Sequence, residues 1–223
     1  KVDVVLDDSL PGAGGEDSHD ARDHAPAHSH RAWAEIRRTL SQAALSENVR
    51  SRALATFQRL AEAEAQVHRI PVEKIHFHEV GATDAIVDIT GAFLALEALG
   101  VEEVWVSPIT TGFGAVKTAH GLLPVPAPAT ALLLAGCPLR RGDTEAELAT
   151  PTGAAILREA AAGFGAWPDG AVVERIGYGA GTKEFPGQTN FLRVFIGRRV
   201  IRGGDDRATG GAPAAASAST PLR

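Results

Sequence analysis

Asp84 and Asp88 stand one helical turn apart in the segment TDAIVDITGAFLALEALG, and His76, His78 and Glu79 lie just upstream of them. At 100° per residue Asp84, Asp88, Gly91 and Ala95 share one stripe. Ile86, Val87, Ile89, Phe93, Leu94 and Leu96 fill the other positions. The spacing therefore predicts a helix over 84–99, apolar nearly all round and buried, with Thr83 as cap and Gly100 just past its end. A buried carboxylate has to be paired, hydrogen-bonded or metal-bound. His76, His78, Glu79 and Asp88 supply the imidazole and carboxylate donors that suit a first-row divalent ion such as nickel or zinc. Gly81 gives the chain the freedom to swing the helix N-terminus back toward the histidines. The competing structural role has Asp84 extending the helix cap and Asp88 pairing with an arginine such as Arg69.

A second set of imidazoles, His19, His24, His28 and His30, is interleaved with Asp17, Asp20 and Asp23, and it holds half of the chain's 8 histidines. Such a tract binds divalent ions loosely and suits storage or delivery, since nothing in it fixes a coordination geometry. Anion-binding candidates lie further on. Lys117 and His120 sit in TTGFGAVKTAHG, a glycine-rich loop that lets a ligand approach the backbone. With Asp84 and Asp88 they are the candidates for catalytic work. Thr150, Thr152 and Gly153 open a helix whose free N–H groups form a cradle for phosphate or carboxylate. Lys183 closes GYGAGTK, which lacks the spacing of a Walker A loop, so no nucleotide site is read from it. Cys137, between Gly136 and Pro138, reads as a structural thiol.

The elements that must position these residues follow from periodicity and punctuation. A short helix is predicted over 33–45. A longer one, capped by Ser46, carries Val49, Ala53, Phe57, Leu60 and Val67 at helical spacing and ends before Pro71. Short strands are predicted over 75–79 and 103–107. A proline-rich entry over 124–129 leads into a helix that reaches Ala135, and Thr150-Pro151 opens another reaching about residue 161. Two strands, 171–178 and 190–196, flank the second glycine-rich loop. The mixture is an α/β (α+β) fold. Its expected organisation is one compact domain over 33–197. A strand over 1–8 completes a part that lies upstream, 9–32 is a mobile loop, and 198–223 is a low-complexity, disordered tail.

Composition narrows the class. The chain has 223 residues, 44% hydrophobic and 22% charged, enough for a buried core. A net charge of −5 argues against a dedicated nucleic-acid binder. No apolar run reaches the ~18 residues of a membrane span. The single cysteine allows no internal disulfide and no charged-then-apolar leader opens the chain, so the expected compartment is the cytoplasm. The chain contains no Met and starts at Lys1 within a strand-like run, which reads as a piece of a longer protein. An oligomer is compatible with everything in the sequence.

Four motifs in order, FHEVGATDAIVDITGA (77–92), AHGLLPVPAPAT (119–130), TPTGAAIL (150–157) and IGYGAGTKEF (176–185), resemble the LarC family of nickel-insertion proteins. The resemblance spans 33–197, and the opening strand and His-rich loop fit it. It implies action on a small-molecule nucleotide substrate, pyridinium-3,5-bisthiocarboxylic acid mononucleotide. Nickel is inserted between the two sulfurs with formation of a nickel–carbon bond, giving the nickel-pincer cofactor of lactate racemase-type enzymes. The apo form of such an enzyme is the implied protein partner. The family is classed as a nickel chelatase, a lyase, and the full-length proteins consume CTP with Mg or Mn. Family members usually open with an FSGISGDM-like segment and carry a C-terminal portion that handles CTP. Neither is in this sequence, so CTP is not expected to bind this chain. The alternative is a nickel-binding storage module without chemistry.

Overall fold

A computed structural model describes residues 31–77, 83–118, 120–185 and 187–200. The expected strand over 1–8, most of the loop over 9–32 and the tail from 201 lie outside the described residues. Strand β1 (Arg31–Ala32) pairs antiparallel with β2 (His76–Phe77), Arg31 opposite Phe77. Residues 31 and 32, assigned by composition to a mobile loop, are therefore strand. Trp33 N donates to Ile75 O at 3.1 Å and leads directly into α1 (Trp33–Gln42).

Helix α2 (Glu47–His68) starts where the sequence places it. Ser46 Oγ accepts from Val49 N at 3.2 Å, the N-cap geometry. Arg50 folds back over the connection from α1, donating to Ala43 O at 3.0 Å and Leu45 O at 2.9 Å. The helix ends at Arg69, which takes a left-handed conformation (φ 55°) two residues before Pro71. A single 3-10 turn, Val72–Lys74, then returns the chain to β2.

Helix α3 (Thr83–Ala98) is followed by β3 (Val104–Val106), β4 (Ile109–Thr111), and a hairpin of β5 (Ala115–Thr118) with β6 (Gly121–Pro124). Next come α4 (Pro128–Leu133), β7 (Leu139–Arg141), α5 (Pro151–Ala160) and β8 (Ala161–Phe164). The order closes with β9 (Ala171–Ala180) and β10 (Phe191–Arg199). Pairs β3–β8 and β4–β7 are parallel; β5–β6 and β9–β10 are antiparallel. The Val125–Pro126 peptide bond ahead of α4 is cis. The mixed α/β class expected from the sequence is found. Strands β4 to β8 were not expected, because three or four residues are too few to show a period. The glycine-rich loop around Lys117 is largely the β5–β6 hairpin. Arg198 and Arg199, placed by composition in a disordered tail, extend β10, and Val200 N donates to Gly170 O at 2.8 Å.

The core gathers around α2. Val49, Ala53, Phe57, Leu60 and Ala61 are fully buried. Phe57 stacks on Trp33 of α1 with ring centroids 6.4 Å apart and meets the Phe77 ring edge-on at 6.1 Å. Arg52 lies over the Phe93 ring of α3, 5.0 Å from its centroid, and donates to Glu159 O and Ala160 O, both at 3.3 Å. Arg59 pairs with the Glu159 carboxylate at 3.0 Å. A cation thus meets the negative end of α5. At the start of α2, Glu97 of α3 accepts from Ser46 Oγ at 2.8 Å and Asn48 Nδ2 at 3.0 Å.

The expectation of an α3 buried on nearly all sides fails. Only the stripe Ala85, Ile89 and Phe93 is buried; Asp84, Asp88, Leu94, Ala95 and Glu97 are exposed. An apolar composition draws a helix toward a neighbour but does not supply neighbours on every side.

Phe57→Ala is expected to cost ~3–5 kcal/mol, since the rings around it are held in one packing; chemical denaturation measures it. Hydrogen bonds from Asn48 and then Ser46 hold the Glu97 carboxyl below its ordinary pKa. A depressed carboxyl stabilises the fold above its unfolded value and loses that contribution as pH falls through the folded one. Melting curves between about pH 6 and about pH 3, the range in which carboxylates titrate, should therefore show a shallower acid loss in Glu97→Gln than in the parent chain.

Candidate functional site

The α3 carboxylates are on the surface. Asp84 Oδ1 accepts from the neighbouring Ala85 N at 2.8 Å in the first turn of the helix. Thr83 is the first helical residue, not the cap. Asp88 follows one turn on. Partial desolvation raises its pKa, and the neighbouring Asp84 carboxylate raises it further. Both effects disfavour the ionised form even though the side chain is exposed as a whole. No Lys, Arg or His among the described residues forms an ion pair with either carboxylate, and Arg69, the partner considered for Asp88, serves instead as the end of α2. The result is a site of concentrated negative charge that a divalent cation would relieve.

His76 lies between buried Ile75 and buried Phe77, so strand alternation turns it outward, and it is exposed. His78 and Glu79 lie outside the described residues, as do His19, His24, His28 and His30. Among the described residues no three His, Cys, Asp or Glu side chains converge in a way that could hold a metal ion.

The segments that carry the anion-binding candidates adjoin one loop. Residues 142–149 enter α5, and Thr150 caps it, its Oγ accepting from Gly153 N at 3.2 Å. One of the free N–H groups expected of this helix start is thereby used internally; Thr152, in the same first turn, is half-buried. The loop passes directly over the β4–β5 connection. Phe113 N donates to Thr144 O at 3.2 Å, and a Cβ at Gly112 would lie 1.6 Å from Ala146 O, so only glycine fits there. On the other side Thr144 Oγ donates to Gln188 Oε1 in the loop between β9 and β10. That loop carries Lys183, whose carbonyl accepts from Asn190 Nδ2 at 3.0 Å. Lys117 is exposed on β5 of the adjoining hairpin. The strand, helix start and loop that carry Lys117, Thr150 and Lys183 thus adjoin one connecting segment, although each lysine faces solvent.

His120 occupies the tip of the β5–β6 hairpin, where its N–H donates to Thr118 Oγ1 at 3.1 Å. Its ring lies against that of His68, centroids 4.8 Å apart and planes at 59°. Glu64 Oε2, one turn earlier on α2, approaches His68 Nε2 at 3.5 Å. The spacing of Glu64 and His68 is visible in the sequence; their meeting with His120 depends on where the hairpin folds and is not. Cys137 is half-buried, and its Sγ receives Arg158 Nη1 at 3.0 Å, as a structural thiol would.

A family model described as "Nickel insertion protein" matches residues 1–218. A protein of Thermomicrobium roseum named for nickel insertion is 57% identical over 169 residues, covering 75% of this chain and 41% of its own length. The pyridinium-3,5-bisthiocarboxylic acid mononucleotide nickel insertion protein of Desulfitobacterium hafniense is 51% identical over 170 residues, 76% of this chain and 42% of its own. The protein of the same name from Geobacillus kaustophilus is 42% identical over 200 residues, 90% of this chain and 46% of its own. The chain thus spans less than half the length of the curated relatives it matches. No solved structure matches it. The ordered motifs and these identities agree: the chain belongs to the nickel insertion protein (LarC) family.

Proposed function

We propose that this chain takes part in inserting nickel into pyridinium-3,5-bisthiocarboxylic acid mononucleotide, acting in the cytoplasm as the substrate-facing portion of a nickel chelatase. The observation that carries the proposal is the 51% identity over 170 residues with a relative named for that reaction. The negative charge on α3 supports it. Ni²⁺ is the cargo, and His76, His78, Glu79 and Asp88 are its proposed ligands, with Asp84 adjoining. The histidines His19, His24, His28 and His30 are proposed to gather the ion loosely beforehand. The mononucleotide's phosphate is proposed to bind Lys117, Lys183 and the α5 start at Thr150, Thr152 and Gly153. Nickel replaces a ring hydrogen when it bonds to carbon, and that hydrogen leaves as a proton. Asp84, beside the proposed ligands, and His120 are proposed as its acceptors. CTP consumption with Mg or Mn, and transfer of the product to a lactate racemase-type enzyme, belong to the same proposal for the whole protein.

Asp88→Asn should weaken Ni²⁺ binding by ~10-fold or more in calorimetric titration, as loss of an anionic ligand does. The same substitution should raise the melting temperature of the metal-free chain at neutral pH. A carboxyl whose folded pKa is raised costs stability once pH exceeds its unfolded value. A variant that keeps full nickel affinity removes Asp88 from the ligand set.

Incubation of the chain with nickel, the sulfur-bearing mononucleotide, CTP and Mg²⁺, followed by mass spectrometry, tests the reaction itself. The nickel adduct should form, and it should diminish in His76→Ala and Lys117→Ala. Nickel binding without any adduct at all favours the storage reading.

A further inference from the structure

We infer that Tyr178 of β9 stacks on the pyridinium ring of the mononucleotide, and that Arg193, directly across the ribbon on β10, takes an anionic group borne by that ring. The inference rests on the proposed function for the identity of the ligand and on the ribbon for the residues. Tyr178 is paired with Arg193 in the register of β9 and β10. Directly opposed residues project from the same face of a ribbon. Phe191 and Phe195, two positions to either side of Arg193, share that face. Tyr178 meets Phe191 edge-on, with centroids 5.3 Å apart and planes at 80°. Arg193 lies over the Phe195 ring, 5.0 Å from its centroid, and Trp167 meets Phe195 edge-on at 4.9 Å. The face is an aromatic row that carries one guanidinium.

These rings are not spent on the core. Tyr178 and Phe191 both stay exposed, so neither stabilises the fold by leaving water. An exposed ring steadied by a neighbour offers a flat surface whose negative quadrupole attracts cations. A pyridinium ring is flat and cationic, so it gains from stacking and from charge together. The groups it carries at positions 3 and 5 are anions, which a guanidinium receives through paired hydrogen bonds. Among the described residues no carboxylate pairs with Arg193. The phosphate end of the ligand falls to the loop beyond β9. Lys183 lies five residues after Tyr178 in that loop and is exposed. An open cleft of about 630 Å³, lined by Gly187, Gln188 and Thr189, lies in the same loop. Its volume is that of a small-molecule site. Ring face and guanidinium thus lie on the ribbon and the amine beyond its end, as a ribose separates ring from phosphate in the ligand.

Nicotinate mononucleotide, a pyridinium mononucleotide with one ring carboxylate, is the probe for the whole chain, and ribose 5-phosphate is its ringless control. The chain has 1 tyrosine, so 3-fluorotyrosine labels Tyr178 alone and fluorine NMR reads that ring. The resonance should shift on saturation with the mononucleotide and stay in place with ribose 5-phosphate. Tyr178→Leu keeps an apolar strand residue without an aromatic face, and should raise the mononucleotide Kd ~5–100-fold. Tyr178→Phe should leave it within ~2-fold, since the ring remains. Arg193→Gln should erase any preference for nicotinate over nicotinamide mononucleotide, whose ring amide is uncharged. Ribose 5-phosphate should be indifferent to all three substitutions. An unmoved fluorine resonance at saturation, an unchanged Kd in Tyr178→Leu, an equal loss for ribose 5-phosphate, or a carboxylate preference that survives Arg193→Gln overturns the inference and leaves the proposed function standing. A chain that binds neither compound overturns both.

Discussion

The rest of the described fold hangs on α2. Its buried stripe from Val49 to Ala61 is met by α1, α3, α4 and α5, and charged side chains tie it to two of these helices. Ser46 and Asn48 hold Glu97 of α3 at one end; Arg52 and Arg59 reach the end of α5 in the middle. A helix of 22 residues is long enough to carry these attachments without bending through the core. Because α3 and α5 are both referenced to it, the carboxylate pair and the Thr150 helix start keep a fixed relation that none of the two-stranded sheets could impose.

That arrangement explains why charge accumulates where it does. Helix α3 spends its apolar stripe on α2, and the opposite flank is left to Asp84 and Asp88 without a cation from the described residues. Separated by one turn, the two carboxylates repel, and the fold tolerates this because the packing of Ile89 and Phe93 is worth more than an exposed like-charge pair costs, a few tenths of a kcal/mol.

Much of this was legible from residue order. Ser46, the period through Phe57 and Leu60, and the stop near Pro71 specify α2; Thr150-Pro151 specifies the start of α5. The carboxylate pair was legible as a pair, but its exposure was not. Hydropathy counts apolar residues along α3 and says nothing of how many neighbours arrive to cover them. The short parallel strands were hidden because Val104–Val106 and Leu139–Arg141 show no period and are defined by partners elsewhere in the chain. The meeting of His68 with His120 was hidden for the same reason. Nothing local to either residue encodes the hairpin's docking point.

The β9–β10 ribbon stands apart from all of this. Nine of its residue pairs are in register, broken once by a bulge between Ile196 and Gly197, yet almost every position on both faces is exposed, Tyr178 and Leu192 by 62% and 61%. A two-stranded ribbon gains little from burial and is marginal in water by itself. Its amides should therefore exchange with solvent deuterium as one cooperative unit, at an opening free energy well below that of the α2 interior. Exchange would divide the molecule into a slow helical cluster and a fast ribbon. The Thr144–Gln188 hydrogen bond joins the two, so the loop entering α5 would report the ribbon's opening to the helix start at Thr150.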